Sequence, residues 1–298
     1  MLSLPDFIVL VYCLIDDLMP LVTGGRPLRS RGFPPQLRDS EVLTMLVVAE
    51  FLNIHDDKAI WTYFGQHWRP WFPKLRHRTT FTRQATNLWR VSQLLHQALI
   101  TVLVPASENV FVTDGLPMPI VKYGRKNRSR LFRGEASTSY CAAKKEFYFG
   151  FKGHLLTSFD GIAVGLTVTP ANTDEREAVW DLADHIRGWL LADKGYISAF
   201  FRDELLRTGV NLQTPLRSNM PDSRPPEYVG TLLRVRRLVE TVISQFTEHL
   251  KISSVRSRDL WHLTARVSRK LLTHAVAVFL NKMFGRDPLK FDGLLAAA

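Results

Sequence analysis

The sequence predicts an α/β protein, a mixed sheet flanked by helices and preceded by an all-helical N-terminal region. Three observations carry this. Apolar residues recur at helical spacing from Leu4 to about Val104. Three strand-like runs follow from Glu108. Beyond them strands and helices alternate, and two long helices close the chain.

The first helix holds the apolar run FIVLVYCLI, which is too short to span a bilayer and is flanked by Asp6, Asp16 and Asp17, so it reads as a core helix. Asp39 or Ser40 can cap a second helix carrying Val42, Leu43, Leu46, Val47 and Phe51. Thr79 or Thr80 opens a longer one carrying Phe81, Leu88, Val91, Leu94 and Leu95. Between them, Trp61, Tyr63, Trp68 and Trp71 interleave with Arg69, Lys74, Arg76 and Arg78. That mixture suits DNA contact and equally suits a small aromatic core with a solvated basic edge.

The strands begin with VFVTD, followed by FYFGFKGHLLTSF and IAVGLTVTP, the last two separated by Asp160-Gly161. A helix over about Asp174 to Arg187 comes next, then the strand WLLAD, a helix from Ser198 to Gly209 and a short strand at VNLQT. A Pro-rich connector, RSNMPDSRPPEY, leads into closing helices over about Tyr228 to Leu250 and Asp259 to Phe284. This order is compatible with a ribonuclease H-like sheet. It divides the chain into a helical region (1–105), the candidate for DNA binding, and a sheet domain with C-terminal helices (106–298).

Lys and Arg outnumber Asp and Glu by 39 to 28, a net charge of +11, which favours a polyanionic partner such as nucleic acid or an anionic membrane surface. The 298 residues, 46% apolar, can bury a substantial core. Cys13 and Cys141 alone make neither a disulfide framework nor a Cys-x-x-Cys knuckle, which suits a reducing cytoplasm. No membrane segment is expected.

Two strands end in an aspartate: Asp114 closes VFVTD before Gly-Leu-Pro, and Asp193 follows Leu190, Leu191 and Ala192. Strand ends face the crevice where ligands bind in such sheets, so the two can converge. Converging carboxylates repel unless a cation or shared proton intervenes, and Mg²⁺ takes hard oxygen ligands. The bland alternative makes Asp114 a turn cap, with Gly115 and Pro117 turning the chain away.

A third carboxylate, Glu240, stands beside the helical stripe Leu232, Val235, Val239, Val242 and Phe246. Read alone it is a surface partner of Arg236 at i,i+4. Together, the three would supply the ligands that phosphodiester cleavage by two metal ions needs.

At these residues the chain resembles bacterial insertion-sequence transposases of the DDE class, most closely insertion-sequence family 982. The resemblance rests on YCLIDDLMP, VTDGLPMPI, LFRGEASTSYCAAKKEFYFGFKGHLL, ADKGYIS and RRLVETVISQF. It implies a ribonuclease H-like catalytic domain, an N-terminal DNA-binding region, and metal-dependent cleavage and joining of DNA. Carried over by position, it makes Asp114, Asp193 and Glu240 the catalytic and metal-holding residues. The expected cofactor is Mg²⁺, with Mn²⁺ able to substitute. The expected partners are the element's terminal repeats, target DNA, and further copies of the chain assembled on DNA. In the wider group the glutamate helix often carries Tyr, Arg, Glu and Lys in register; here Arg236 fills the Arg step, whereas Leu233 and Thr247 fill the Tyr and Lys steps.

DNA contact is expected from Arg69, Arg76 and Arg78, from Lys145, Lys152 and His154 on or beside the second strand, and from Lys194 and Arg236. Lys144, Arg125, Lys126, Arg128, Arg130 and Arg133 extend that cluster, against the alternative of a charged edge strand that resists aggregation. The single histidines, including His154, His185 and His274, lack metal-ligand spacing and read as structural. Two other readings remain open: a phosphotransfer enzyme with Asp114 as nucleophile, which wants an Asp where Leu116 stands, and a catalytically silent DNA-binding derivative.

Overall fold

The computed structural model describes residues 1–29, 31–142, 144–183 and 186–296; His185 lies outside them. The chain divides into two compact units. One comprises Met1–Leu103, Glu248–Ile252 and Arg256–Ala298, the other Val104–Thr247 and Ser253–Val255.

The helical unit contains α1 (Leu4–Thr23), α2 (Asp39–Phe51), α3 (Asp57–His67), α4 (Arg78–Asn87) and α5 (Trp89–Leu103). In α1 the apolar run buries Phe7, Ile8, Val11 and Ile15, as a core helix should. The single helix expected from Thr79 onward is two. The weak helix formers Thr86 and Asn87 end α4, and the buried Leu88 turns the chain into α5.

The last helix of the chain, Leu260–Met283, also belongs to this unit, although the sequence grouped it with the sheet. It packs on α5, α2 and α4, and its buried Arg269 and Lys270 pair with Glu50 of α2.

The other unit is built on a six-stranded sheet: β1 (Val110–Lys122), β2 (Ser137–Cys141), β3 (Glu146–Ser158), β4 (Ala163–Pro170), β5 (Gly188–Leu191) and β6 (Val210–Gln213). The order is β2-β3-β1-β5-β6, with β4 also paired to β3. Pairs β1/β3, β2/β3 and β3/β4 are antiparallel; β1/β5 and β5/β6 are parallel. Helices α6 (Glu175–Ala183) and α7 (Ala199–Arg207) build a core with the sheet through Val179, Leu182, Phe201, Leu205, Leu156 and Leu190. Helix α8 (Pro226–Ser244) packs on β1 and ends in a π-turn at Gln245–His249.

The expected break after Asp114 does not occur: β1 continues through Gly115, Pro117 and Pro119 to Lys122. β5 pairs with Val110–Val112, and beyond that point no described strand pairs with this edge of β1, where the Pro117 carbonyl accepts from Ser253 Oγ at 2.9 Å. Proline, lacking an N–H, is tolerated there, and the register with β3 slips between Pro119 and Val121.

Candidate active site

Asp114 and Asp193 extend from two strands that run side by side in the same direction, β1 and β5. Asp193 lies just past the end of β5, where its Oδ1 accepts the Lys194 N–H at 2.6 Å and caps a short 3₁₀ turn, Lys194–Tyr196. Asp114 stays within β1 and accepts the Gly115 N–H at 2.8 Å. On α8 the buried stripe Leu232, Val235, Val239 and Val242 faces inward, which sets Arg236 and Glu240 beside it.

These residues meet at one atom. Arg236 Nη2 lies 3.4 Å from Asp193 Oδ1, 3.7 Å from Glu240 Oε1 and 4.0 Å from Asp114 Oδ2. The i,i+4 pair expected of Glu240 therefore exists, but its arginine is shared with both aspartates. Burial raises the Asp114 pKa to about 6; the Gly115 N–H and Arg236 oppose the rise, while Asp193 and Glu175 add to it.

Glu175, at the start of α6, is a fourth carboxylate that the sequence did not single out. Its Oε1 lies 3.3 Å from Lys152 Nζ. A Cβ on Gly115 would stand 3.2 Å from Glu175 Oε1, and one on Gly195 would stand 3.2 Å from Oε2. The glycines that follow the two aspartates thus let this carboxylate close onto the strand ends. Tyr196 is buried beneath, and burial with the charges of Glu175 and Asp114 holds its phenol protonated.

Because Glu175 helps to disfavour ionised Asp114, Glu175→Gln is expected to lower the Asp114 pKa from about 6 toward its ordinary range. A carboxyl-carbon NMR titration reads this directly, and an unmoved value would show that solvent screens the pair completely.

The remaining expected contacts divide. Lys194 and Lys145 are exposed. Lys152 is half-buried against Glu175. His154 is fully buried, with Nε2 2.9 Å from Thr169 Oγ1, and burial lowers its pKa to about 4. It is a neutral core residue of β3 and has no surface to offer DNA. In the helical unit Arg69, Arg76 and Arg78 are exposed, though Arg69 donates to the Leu75 carbonyl. The aromatic residues beside them pack edge to face, as Phe64 does with Phe72 and Trp68 with Trp71. A cleft next to them is lined by Phe33, Lys74, Arg76, His77 and Arg83.

Residues 106–260 match the family model described as a transposase DDE domain, a span of more than half the chain that contains Asp114, Glu175, Asp193, Arg236 and Glu240. The chain belongs to this family. It is accordingly a transposase, an enzyme that acts on DNA, and DDE domains depend on divalent metal. The fold of this transposase is similar to that of a piggyBac transposase solved as a synaptic complex with hairpin DNA. The TM-score is 0.51 at 11% identity, over 98% of this chain and 78% of that one. No curated protein matches the chain. Among the described residues no helix is long and apolar enough to cross a membrane.

Proposed function

We propose that this transposase cleaves and joins DNA at the ends of a bacterial insertion sequence, of the type of insertion-sequence family 982, by a two-metal-ion mechanism. Asp114, Asp193 and Glu240 would hold the ions, and residues 1–105 would bind the element's terminal repeats, in the cytoplasm and in an assembly of several copies on DNA. What supports this reading is the convergence of three carboxylates, drawn from β1, the end of β5 and α8, on one guanidinium nitrogen.

Among the described residues no group of three or more His, Cys, Asp or Glu side chains stands close enough to hold a metal ion, because the Arg236 guanidinium lies between the carboxylates. The donors nevertheless fit a divalent cation in chemistry and charge. All are hard oxygens, and the four ionised carboxylates Asp114, Asp193, Glu240 and Glu175, set against the two cations Arg236 and Lys152, leave a net charge of −2. Arg236 supplies positive charge among them.

When bound, Mg²⁺, or Mn²⁺ in its place, would activate the attacking oxygen and stabilise the leaving one. The chain's own groups do the rest. Arg236 keeps the carboxylates from repelling one another before metal arrives, and its fork can then turn to a phosphate oxygen. Lys194, exposed next to Asp193, neutralises backbone phosphate, and Lys152 does so once released from Glu175.

Purified protein incubated with its own element's end DNA is expected to cleave it in Mg²⁺ and to bind without cleaving in EDTA. Replacing Arg69, Arg76 and Arg78 with Ala should weaken binding and flatten its salt dependence by about 0.9 in log–log slope for each phosphate no longer neutralised. Cleavage that persists in EDTA would refute metal dependence, and an unchanged slope would return that segment to an aromatic core with a solvated edge.

A further inference from the structure

At the opposite end of β1 from Asp114, ~25 Å along the strand at ~3.3 Å per residue, three aromatic rings stand in the open. Tyr140 of the edge strand β2 and Phe147 of β3 are register partners with centroids 5.0 Å apart. Tyr123, at the end of β1, follows at 5.5 Å from Phe147, and Lys126 Nζ sits 4.4 Å above the Tyr123 ring. Their exposures are 50%, 55% and 44%, so about half of each ring faces water.

A contiguous row of exposed rings is costly in water and marks a contact surface more often than an accident of composition. The surrounding charge selects the occupant. Lys122, Arg125, Lys126, Arg128, Lys144 and Lys145 flank the rings, none of them in an ion pair among the described residues, against the acids Glu135 and Glu146. Rings interleaved with unpaired cations are how proteins hold unpaired nucleic acid: bases stack on the rings while cations track the phosphates. Duplex DNA cannot use the rings, because its base faces are already covered by one another.

We propose that Tyr140, Phe147 and Tyr123 form a stacking ledge for the bases of an unpaired DNA strand. The proposal rests on DNA being the substrate and adds the form of DNA that this end of the sheet takes: a single strand several nucleotides from the cleaved phosphate. Lysines on an edge strand also discourage sheet-to-sheet aggregation. That role needs no aromatic ring, which gives the test its contrast.

The probes are fluorescein-labelled oligo-dT and duplex end DNA, each measured by anisotropy with the full chain. The double variant Tyr140→Leu/Phe147→Leu keeps apolar bulk and removes two π-faces. It should bind oligo-dT about tenfold more weakly, with duplex binding and Mg²⁺-dependent duplex cleavage unchanged. Equal affinity for oligo-dT, or equal losses on both DNAs, would overturn the proposal. Should the double variant not fold by thermal melting, Phe147→Trp decides: oligo-dT should quench its emission more than that of wild type, whose seven tryptophans set the background, and equal quenching of the two proteins at saturating oligo-dT would sink the ledge. Failure of the transposase reading itself would look different, since wild-type protein would then not cleave duplex end DNA.

Discussion

Asp114→Asn, Asp193→Asn and Glu240→Gln are each expected to lower end-DNA cleavage by about a thousandfold, the scale on which loss of one group stabilising transition-state charge is felt. Binding of end DNA should persist or tighten slightly, since each change removes a negative charge from a surface that must meet phosphates. Lys145→Ala and Lys152→Ala should do the reverse, weakening affinity first and slowing cleavage only through positioning. Asp114→Asn carries a second signature. Its pKa is raised from 3.8 to about 6, so the folded protein binds the extra proton more readily than the unfolded chain does. Stability therefore rises as pH falls from about 6 toward 3.8, and above pH 6 the buried charge is a penalty. The Asn variant, free of that charge, should melt at a higher temperature than wild type at pH 7, and the gap should narrow as the pH approaches 4. Wild-type cleavage by Glu240→Gln would show the three-carboxylate mechanism to be wrong for this chain.

The parts of the site that were legible in the sequence are those set by local pattern. VFVTD is a short apolar run that ends on its carboxylate; the spacing Leu232, Val235, Val239, Val242 fixes which side of α8 carries Arg236 and Glu240. What was not legible depends on partners distant in the chain. Gly-Leu-Pro-Met-Pro reads as a break, and only the early end of β5 lets β1 run through it. Strand β2 exists through its pairing with β3. Glu175 looks like an ordinary first-turn acid until Gly115 and Gly195 are seen to close around it. His154 was misplaced among DNA contacts because the second half of β3 is buried on both faces, so alternation cannot tell inward from outward there.

The same distance in sequence hides the buried charges of the helical unit, where Glu50→Ala is expected to cost about 3–5 kcal/mol. Glu50, on α2, is fully buried: its Oε1 is 2.6 Å from Arg269 Nε, and its Oε2 is 2.8 Å from Lys270 Nζ and 2.6 Å from His55 Nδ1. Arg269 also reaches Asp57 at 3.0 Å, and Lys270 donates to the Leu250 carbonyl. Burial alone would raise the Glu50 pKa, but Arg269 and Lys270 overcome it and hold the carboxyl at about 2. Lys270 fares differently: burial outweighs Glu50 and lowers its pKa to about 8, while Arg269 stays charged. Removing Glu50 leaves the fixed Arg269 charge with the His55 carbonyl and with Asp57, a carboxylate it shares with Arg266; Lys270→Met leaves Glu50 still paired with Arg269 and should cost less. Thermal melting should therefore show a drop of about 10 °C for Glu50→Ala and a smaller one for Lys270→Met. The pH dependence carries the sign. A carboxyl with a depressed folded pKa stabilises above its unfolded value of 4.5, and that stability is lost as pH falls toward 2. Wild type should lose stability across that window, and Glu50→Ala should lose less. Equal acid sensitivity in the two proteins would mean that the buried carboxylate contributes nothing to holding α2 against the last helix.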